Sequence, residues 1–300
     1  MSSLDAARAS ANRLYCPIVF KLAARLEQLT WADFILDPID MAAALRNAQT
    51  ALGGNLLVNW FDTWSECETL GAPIVRDPAG NLIAIAPPPS GVSDPLTILK
   101  SELLPKLKDL AIRLNSDRRS GTLVAGFVTG MSTLARRIGG PQAANLAIQW
   151  AIELIRAYGE IGLDSFIIAE EEPGIGAFYS DFAKELQPIF NLSRYYSRPL
   201  IVLNRRPAED DQLKLAAAGF ICDNTPARML IIAGGSRLGT IRLIPEELLD
   251  SPSQQSNEML NSMLAGIDDG RQIFITSWET PVDIEPERLA ELGRRLRSAG

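Results

Sequence analysis

Residues 55–71 read NLLVNWFDTWSECETLG, and this stretch places one carboxylate between a strand and a helix. The apolar run at 56–58 is typical of a short strand that is buried on both faces of a parallel sheet. Thr63, followed three residues later by Glu66, has the spacing of a capping box at the start of a helix. Asp62 is therefore predicted to lie where a parallel strand ends, which is where α/β folds bind their ligands.

Two interpretations of Asp62 follow from this position. In the first, its side chain points into an active-site mouth at the C-terminal end of a barrel. In the second, its carboxylate only caps the helix that comes next, which is a common role for aspartate. The sequence pattern leaves both interpretations open.

The composition describes an acidic chain with enough apolar residues for a full core. It has 300 residues, of which 47% are hydrophobic, and a net charge of −7 with a pI near 4.9. This length fits one large α/β barrel as well as two smaller domains. No basic run would follow a phosphate backbone, so we expect no nucleic-acid partner.

The cysteines and the N-terminal segment predict a cytoplasmic protein. Cys16, Cys67 and Cys222 lie far apart without a C-x-x-C motif, which is typical of reduced thiols rather than a disulfide framework. Residues 1–13 are polar and lack the apolar core of a signal peptide. No run of about 18 apolar residues occurs, so we expect no membrane span.

The chain has no histidine, and this absence limits its chemistry more than any other feature of its composition. It excludes Ser-His-Asp and Cys-His mechanisms. It also excludes the histidine-ligated zinc that is usual in catalytic sites, which three scattered thiols do not easily replace. General acid–base chemistry is therefore left to Asp, Glu, Lys, Arg, Tyr or water.

The order of elements favours an α/β fold, a single (β/α)8 TIM barrel over residues 1–300 with N-terminal helices and a β-hairpin insertion. About eight strand candidates are each followed by at least one helix, and no change in composition divides them. A doubly wound open sheet is the alternative, but no G-x-G-x-x-G motif follows the first strand. The barrel strands are predicted at 17–20, 56–58, 122–128, 164–169, 199–203, 220–222, 240–243 and 272–276, the hairpin strands at 74–75 and 82–85, and helices at 98–114, 141–158, 175–190, 209–218, 226–233, 257–266 and 285–298, among others.

Charged and polar residues cluster at the predicted strand ends, which a barrel brings together at one mouth. The two neighbouring arginines indicate a small substrate with carboxylates, because a guanidinium binds a carboxylate through two parallel hydrogen bonds. The alternative is that Arg205 and Arg206 neutralise the glutamates at 170–172 in a surface network. The residues at these ends are Lys21, Asp62, Glu170, Glu171, Glu172, Asn204, Arg205, Arg206, Asp223, Trp278 and Glu279.

Several candidates have a structural interpretation as well. The glutamate run at 170–172 is typical of a solvated loop, from which one member would point inward. Trp60, Trp64 and Trp278 are suited to lining a flat apolar cavity and equally to packing in the core. Cys222 is interpreted as a buried structural thiol, because no histidine is present to activate it.

Four parts of the sequence together resemble the uroporphyrinogen decarboxylase family, a (β/α)8-barrel family that also contains corrinoid-linked methyltransferases. WADFILDPIDMAAALRNAQTALGGN (31–55) with VNWFDTWSECETLGAPI (58–74) is similar to the family's helix-strand-Asp-helix block. VAGFVTGMSTLARRIGG (124–140) is similar to its strand-GPxTL-helix block. AIELIRAYGEIGLDSFIIAEEEPG (151–174) is similar to its acidic strand block, and TPVDIEPERL (280–289) to its closing loop and helix.

The resemblance covers most of the chain, but the functional positions agree only in part. Asp62 falls on the family's aspartate after the second strand. The family's arginine block falls on KLAAR, where Arg25 remains and Lys21 is a cationic substitute. The zinc ligands of the methyltransferase branch fall on residues 203–205 and 277–279, which carry neither cysteine nor histidine. The resemblance therefore implies a chain without a metal site.

The resemblance implies a cofactor-free decarboxylase, a carboxy-lyase that acts on a carboxylated, tetrapyrrole-like substrate. In such an enzyme Asp62 would face the pyrrole N–H groups while the ring is transiently protonated and an acetate side chain loses CO₂. Most of the family's propionate-binding arginines are missing, and its tyrosine, serine and histidine fall near Arg137, Glu171 and Trp278, so the substrate is expected to diverge.

Three interpretations of function remain open at this point. The first is the carboxy-lyase, with Asp62 as the catalytic residue. The second is a corrinoid-linked methyltransferase relative that has lost its zinc site, and the third is a ligand-binding protein without turnover. A homodimer is a further open alternative. The predicted substrate-binding residues are Lys21, Arg25, Trp60, Glu170, Asn204, Arg205, Arg206, Asp223 and Trp278.

Overall fold

The structure is a computed structural model, and it describes residues 13–85, 100–171, 182–205, 221–225, 228–233, 240–249, 253–265 and 272–298. The strands in these ranges are β1 (Arg13–Cys16), β2 (Leu56–Val58), β3 (Ile74–Arg76), β4 (Leu82–Ile85), β5 (Leu123–Thr129), β6 (Ser165–Glu170), β7 (Leu200–Asn204), β8 (Ile221–Thr225), β9 (Arg228–Ala233), β10 (Thr240–Ile244) and β11 (Gln272–Thr276).

Ten α-helices occur in the same ranges, and most of them connect one strand to the next. They are α1 (Phe20–Leu26), α2 (Trp31–Leu36), α3 (Pro38–Leu52), α4 (Ser65–Thr69), α5 (Leu103–Ser116), α6 (Met131–Ile138), α7 (Ala144–Ile161), α8 (Phe182–Tyr195), α9 (Gln254–Ala265) and α10 (Pro286–Ser298). None of them is both long and apolar enough to cross a lipid bilayer.

The strands pair mostly in parallel, as the predicted β-α repeats require. One sheet has the order β1-β11-β10 and is parallel throughout. A second sheet has the order β2-β5-β6-β7-β9-β8, in which the first four strands are parallel and β9 is antiparallel to both of its neighbours. Strands β3 and β4 form the antiparallel hairpin that the sequence predicts. The architecture is therefore mixed α/β with parallel sheets.

Strand pairing in the described residues does not close the predicted barrel, because it leaves two separate sheets. The side chain of Asn55 joins them between β1 and β2. Its Oδ1 accepts the N–H of Tyr15 at 2.6 Å, and its Nδ2 donates to the carbonyl of Arg13 at 3.1 Å. Its own N–H donates to the carbonyl of Tyr15 at 3.0 Å. A side chain thus replaces a strand ladder at this edge.

Most predicted strands are found within one residue of their expected positions. Strands β5, β6, β7 and β11 are buried along their whole length, which explains why they read as continuous apolar runs rather than alternating ones. Helix α7 packs so closely on β5 of the second sheet that a Cβ added at Gly126 would lie 2.4 Å from the ring of Tyr158.

The predicted first strand at 17–20 is wrong, because the strand is β1 and ends just before Pro17. Proline has no N–H to contribute to a ladder, so the strand stops there. Phe20 begins helix α1, which places Lys21 in its first turn.

The predicted helix at 226–233 is also wrong, because residues 228–233 form strand β9. Its short run of leucine and isoleucine is ambiguous by periodicity alone, and pairing with β7 and β8 decides it. The predicted helix at 209–218 lies outside the described residues. The helix predicted at 175–190 is described from residue 182 and continues to Tyr195.

The hairpin is fixed against helix α2. The N–H of Trp31 donates to the carbonyl of Pro78 at 2.7 Å, and the guanidinium of Arg76 lies 5.2 Å from the centroid of the Trp31 ring. Gly80 has φ +83°, and a Cβ there would lie 2.4 Å from the same indole. Glycine is therefore required at this turn of the hairpin, and the turn positions Arg76.

Candidate active site

The carboxyl ends of the strands open on a cavity of about 330 Å³. Segments that follow β1, β2, β6, β7, β10 and β11 form its wall together with the hairpin. Its volume lies at the lower end of the range for small-molecule sites. The charged residues of the described chain that line it are Lys21, Asp62, Arg76, Glu171, Arg205, Glu246 and Glu279.

The structure brings four of the ten predicted site residues to this cavity: Lys21, Asp62, Arg205 and Trp278. Two others lie beyond what is described, since Arg206 falls outside the described residues and only the backbone of Asp223 is described, in β8.

The remaining four predicted residues lie outside the cavity wall. Arg25 is exposed and donates to the carbonyl of Ile284 at 2.6 Å. Trp60 is buried and packs against Phe20, with ring centroids 4.9 Å apart. Asn204 is buried at the end of β7. Glu170, the fourth, has a structural role that is described below.

Asp62 combines both roles that its position suggests. Its Oδ1 accepts the N–H of Trp64 at 3.3 Å and its Oδ2 accepts the hydroxyl of Ser65 at 2.5 Å, so it stabilises the start of α4. The same carboxylate lines the cavity and forms an ion pair with Arg76 at 2.7 Å. The predicted cap Thr63 donates instead to Glu171 at 2.8 Å. A catalytic role for Asp62 stays a prediction.

Glu279 is the carboxyl in the cavity that is best placed for proton transfer. It follows β11, and it is held by Lys21 at two points. The N–H of Lys21 donates to Oε1 at 2.7 Å, and Nζ lies 3.3 Å from Oε2. Burial raises the pKa of Glu279 to about 6, and the nearby carboxylate of Asp62 adds to this rise, while Lys21 opposes it. A carboxyl with this pKa exchanges protons near neutral pH.

Glu171 differs from Glu279 because two guanidinium groups hold it. Arg137 contacts its Oε2 at 2.6 Å and Arg205 contacts its Oε1 at 2.7 Å. Burial alone would raise the pKa of this carboxyl, but the charge and hydrogen bonds of Arg137, the hydroxyl of Thr63 and the charge of Arg205 outweigh burial and lower it. Glu171 is therefore ionised and serves as a fixed anchor for the two arginines.

The two arginines also stack on cavity tryptophans. The guanidinium carbon of Arg137 lies 3.5 Å from the Trp64 ring centroid, and that of Arg205 lies 5.4 Å from the Trp278 centroid. Such cation–π contacts orient the planar guanidinium groups. The predicted pairing of Arg205 with the glutamate run is thus present, and it lies in the cavity wall.

In the glutamate run at 170–172, of which residues 170 and 171 are described, Glu170 is the member that points inward, as the sequence predicts for one of them. Glu170 is fully buried and accepts the N–H groups of Ser132 (3.0 Å) and Thr133 (2.8 Å) at the start of α6. Gly130 makes room for it, because a Cβ there would lie 2.2 Å from the Glu170 carboxyl carbon. Burial raises the pKa of Glu170, although the Thr133 and Ser132 hydrogen bonds oppose this. Its role in the described structure is to cap a helix.

Glu66 is a second buried carboxyl, which lies behind the cavity wall. It accepts the indole N–H of Trp150 at 3.0 Å and the hydroxyl of Thr129 at 2.9 Å. Burial raises its pKa to about 7, against those two hydrogen bonds and its own backbone N–H, and the charge of Asp62 adds a smaller rise. Sequence reasoning took Glu66 for a capping residue, since only the fold shows that α4 turns this side chain inward.

The positions that carry zinc ligands in the methyltransferase branch do not fit a zinc ion here. Residues 203–205 and 277–279 offer one donor of the kind that zinc uses, the carboxylate of Glu279, and Lys21 already holds both of its oxygens. The guanidinium of Arg205 would repel a cation, and zinc sites use thiolate, imidazole or carboxylate donors.

The fold and the cavity together define a class of protein: a mixed α/β protein with parallel sheets and a polar cavity at the carboxyl ends of its strands. No protein-family model matches the chain, and no curated protein does. Among solved structures, a methyltransferase from Methanosarcina mazei is similar over 99% of this chain and 98% of its own, with a TM-score of 0.68 and 13% sequence identity. At that identity the likeness shows a shared fold.

Proposed function

We propose that this protein is a carboxy-lyase that removes CO₂ from a small carboxylated substrate in the strand-end cavity. The observation that carries the proposal is Glu279, a carboxyl with only 11% of its side chain exposed and a pKa of about 6, which lines the cavity beside Lys21 and Asp62. Decarboxylation leaves an electron pair on carbon, and an acid must protonate that carbon. Glu279 supplies this proton in the proposal.

Arg205 is the residue that would hold the substrate. In the described part of the chain, one N–H of the Arg205 guanidinium donates to Glu171, and 34% of the Arg205 side chain remains exposed. The guanidinium therefore has donors left for a carboxylate of the substrate, and its stacking on Trp278 fixes their direction. Glu171, which Arg137 holds in place, holds Arg205 in turn, so the binding geometry is formed before the substrate arrives.

The test is a CO₂-release assay on a panel of small carboxylic acids and porphyrinogens. Candidates for the panel come from a thermal-shift screen, because a ligand that binds the folded state raises the melting temperature. Glu279→Gln is expected to bind the ligand but to release CO₂ at least about 100-fold more slowly. Glu258→Gln is the matched control, since Glu258 is exposed on α9. Ligand binding without CO₂ release by the native protein would instead support a binding protein.

Methyl transfer is a second candidate, favoured by the structural likeness to the Methanosarcina methyltransferase. In this alternative Glu279 accepts a proton from the methyl acceptor, and the cavity binds a methylated compound or a corrinoid. Incubation with methylated compounds and methylcobalamin, followed by mass spectrometry of the products, distinguishes the two. A methylated product that Glu279→Gln fails to form, without CO₂ release from any acid, would favour methyl transfer.

We also propose that the two sheets belong to one closed barrel of eight parallel strands with β9 inserted. The Asn55 bridge between β1 and β2 supports this, as does the approach of the β8 and β10 backbones to within 8 Å. An experimental structure with both gaps spanned by neighbouring strands is the expected result. A wide solvent channel between β8 and β10 would contradict it.

A further inference from the structure

The cavity offers few groups that can form a covalent bond to a substrate. Among the described residues that line it, these are the amine of Lys21, the hydroxyls of Thr63 and Thr280, and four carboxylates, which are weaker nucleophiles than a neutral amine and form no imine. Both hydroxyls already donate hydrogen bonds, Thr63 to Glu171 and Thr280 to the carbonyl of Ile18. A hydroxyl nucleophile also needs an adjacent base, and histidine, the usual one, is missing from the chain. The amine is therefore the best nucleophile in this wall.

The amine of Lys21 is placed against a proton acceptor. Lys21 lies in the first turn of α1, directly after β1, and 22% of its side chain is exposed. Its own N–H occupies Oε1 of Glu279, which leaves Oε2 facing the ammonium at 3.3 Å.

We propose that Lys21 is the covalent nucleophile of this cavity and forms a Schiff base with a β-keto acid, with Glu279 carrying the proton. This inference rests on the proposed carboxy-lyase function, and it names the nucleophile and the substrate class.

Each step of the reaction balances with water and one proton from solvent as the co-reactants. The ammonium of Lys21 passes a proton to Glu279, and the neutral amine adds to the ketone carbon. Glu279 returns this proton to the carbinolamine oxygen, so that water leaves and a protonated imine remains. The C–CO₂ bond then breaks, and its electron pair moves through the adjacent carbon to the imine nitrogen, giving CO₂ and an enamine. Glu279, which has taken up a proton from solvent, protonates the enamine carbon. Water then hydrolyses the protonated imine, which releases the ketone and returns the ammonium of Lys21.

The substrate class follows from this electron flow. The imine nitrogen can accept the electron pair only if the former carbonyl carbon is bonded directly to the carbon that bears the leaving carboxylate. This is the arrangement in a β-keto acid. The protein supplies the electron sink, so no metal or organic cofactor takes part in these steps. A second carboxylate on the substrate would bind Arg205.

Borohydride trapping tests the inference on the native protein. The full-length chain is incubated with acetoacetate, oxaloacetate or 3-oxoadipate, reduced with sodium borohydride and mapped by peptide mass spectrometry. Reduction converts an imine into a stable secondary amine on the lysine that formed it. We expect one adduct per chain on Lys21, dependent on the keto acid, and its loss in Lys21→Arg.

Lys106 is the internal control for this experiment. It is partly buried on α5 and lies outside the cavity wall, and burial lowers its pKa, so its amine is intrinsically reactive. Modification of Lys106 as strongly as Lys21 would show unspecific chemistry and overturn the inference. Absence of any Lys21 adduct with all three acids would overturn it as well. CO₂ release without an adduct would leave the proposed function standing, whereas an absence of both ligand binding and CO₂ release would remove the proposed function too.

The pH dependence of CO₂ release gives a second readout. If Lys21 must pass its proton to an ionised Glu279, the rate rises as the pH increases through the Glu279 pKa of about 6. If Glu279 acts only as an acid and no Schiff base forms on Lys21, the rate falls over the same range. A falling profile would therefore overturn the role of Lys21 and leave Glu279 as the acid.

Discussion

The carboxyl ends and the amino ends of the parallel strands carry charge in different ways. At the carboxyl ends, Glu279 is a mostly buried carboxyl that a single lysine partners, and its pKa is raised to about 6. At the opposite edge a cavity of about 140 Å³ lies between the C-terminal turns of α3 and α5. There Arg46 donates to the carbonyl of Arg113 at 3.4 Å, and Arg118 pairs with the fully buried Asp164 at 2.5 Å.

The comparison distinguishes charged groups that stabilise the fold from charged groups that are suited to proton transfer. The arginines at the amino edge satisfy helix carbonyls and a buried aspartate, and Asp164 also accepts the N–H of Val124 at 2.9 Å, so this network ties α5 to β5. The mouth instead keeps Glu279 poorly compensated, and Glu66, just behind the mouth, has only neutral hydrogen-bond donors among the described residues. Groups of this kind are costly for stability and useful for proton transfer.

The largest expected effect is on turnover at the mouth. Glu279→Gln keeps the hydrogen bond from the Lys21 N–H but cannot carry a proton, so kcat is expected to fall at least about 100-fold while the melting temperature changes little. Steady-state CO₂ release and thermal unfolding measure the two quantities. A variant with native kcat would assign Glu279 to the structural group, together with Asp164.

The second effect concerns the pH dependence of stability. The pKa of Glu66 is raised from 4.5 to about 7, so its contribution to the free energy of unfolding is greatest below about pH 4.5 and is lost as the pH rises to about 7. The loss is about 3 kcal/mol from linkage. Glu66→Gln is expected to remove this slope in urea titrations at a series of pH values. Glu68→Gln, at an exposed position two residues later, should leave the slope unchanged.

The third effect tests the amino edge. Asp164→Ala leaves the N–H of Val124 and the guanidinium of Arg118 without this partner, and it is expected to lower the free energy of unfolding by about 2 kcal/mol. Ligand affinity and kcat should remain native, since Asp164 does not line the mouth cavity. Loss of turnover at full stability would contradict the division between the two edges.

The smallest effect is on substrate affinity. Arg205→Lys keeps the charge but removes the planar donor pair and its stacking on Trp278, so Kd for a carboxylated ligand is expected to rise about tenfold. Isothermal titration measures it. Arg194→Lys, at an exposed position on α8, is the control. An unchanged Kd in Arg205→Lys would show that the substrate binds elsewhere in the cavity.

Sequence reasoning located the strands well because buried parallel strands are apolar along their whole length. It predicted β2, β5, β6, β7 and β11 within one residue, and it placed Asp62 at a strand end. It misplaced the first strand, where Pro17 ends β1, and it missed β9, because a short run such as MLII satisfies helix and strand patterns equally. The resemblance to the uroporphyrinogen decarboxylase family stays a prediction beyond the shared fold.

The candidate site was predictable in its location and less so in its partners. Lys21, Asp62, Arg205 and Trp278 were found because strand ends meet at one edge. Arg76 was missed because it reaches the cavity from a hairpin, through a turn that packs on Trp31. Glu170 was assigned to the site, yet the first turn of α6 captures its carboxylate.

The sequence by itself determined the class of the fold, the sheet edge at which the charged cavity opens and, by its lack of histidine, the residue types left for chemistry there. These features depend on local periodicity and composition, which are properties of the chain alone. Only the tertiary structure decided which carboxyls pair with a cation, which accept N–H groups at the start of a helix and which are buried with neutral partners. The pKa of a carboxyl depends on desolvation and on charges brought close from distant parts of the chain, as Lys21 is brought to Glu279, and no local pattern contains that information.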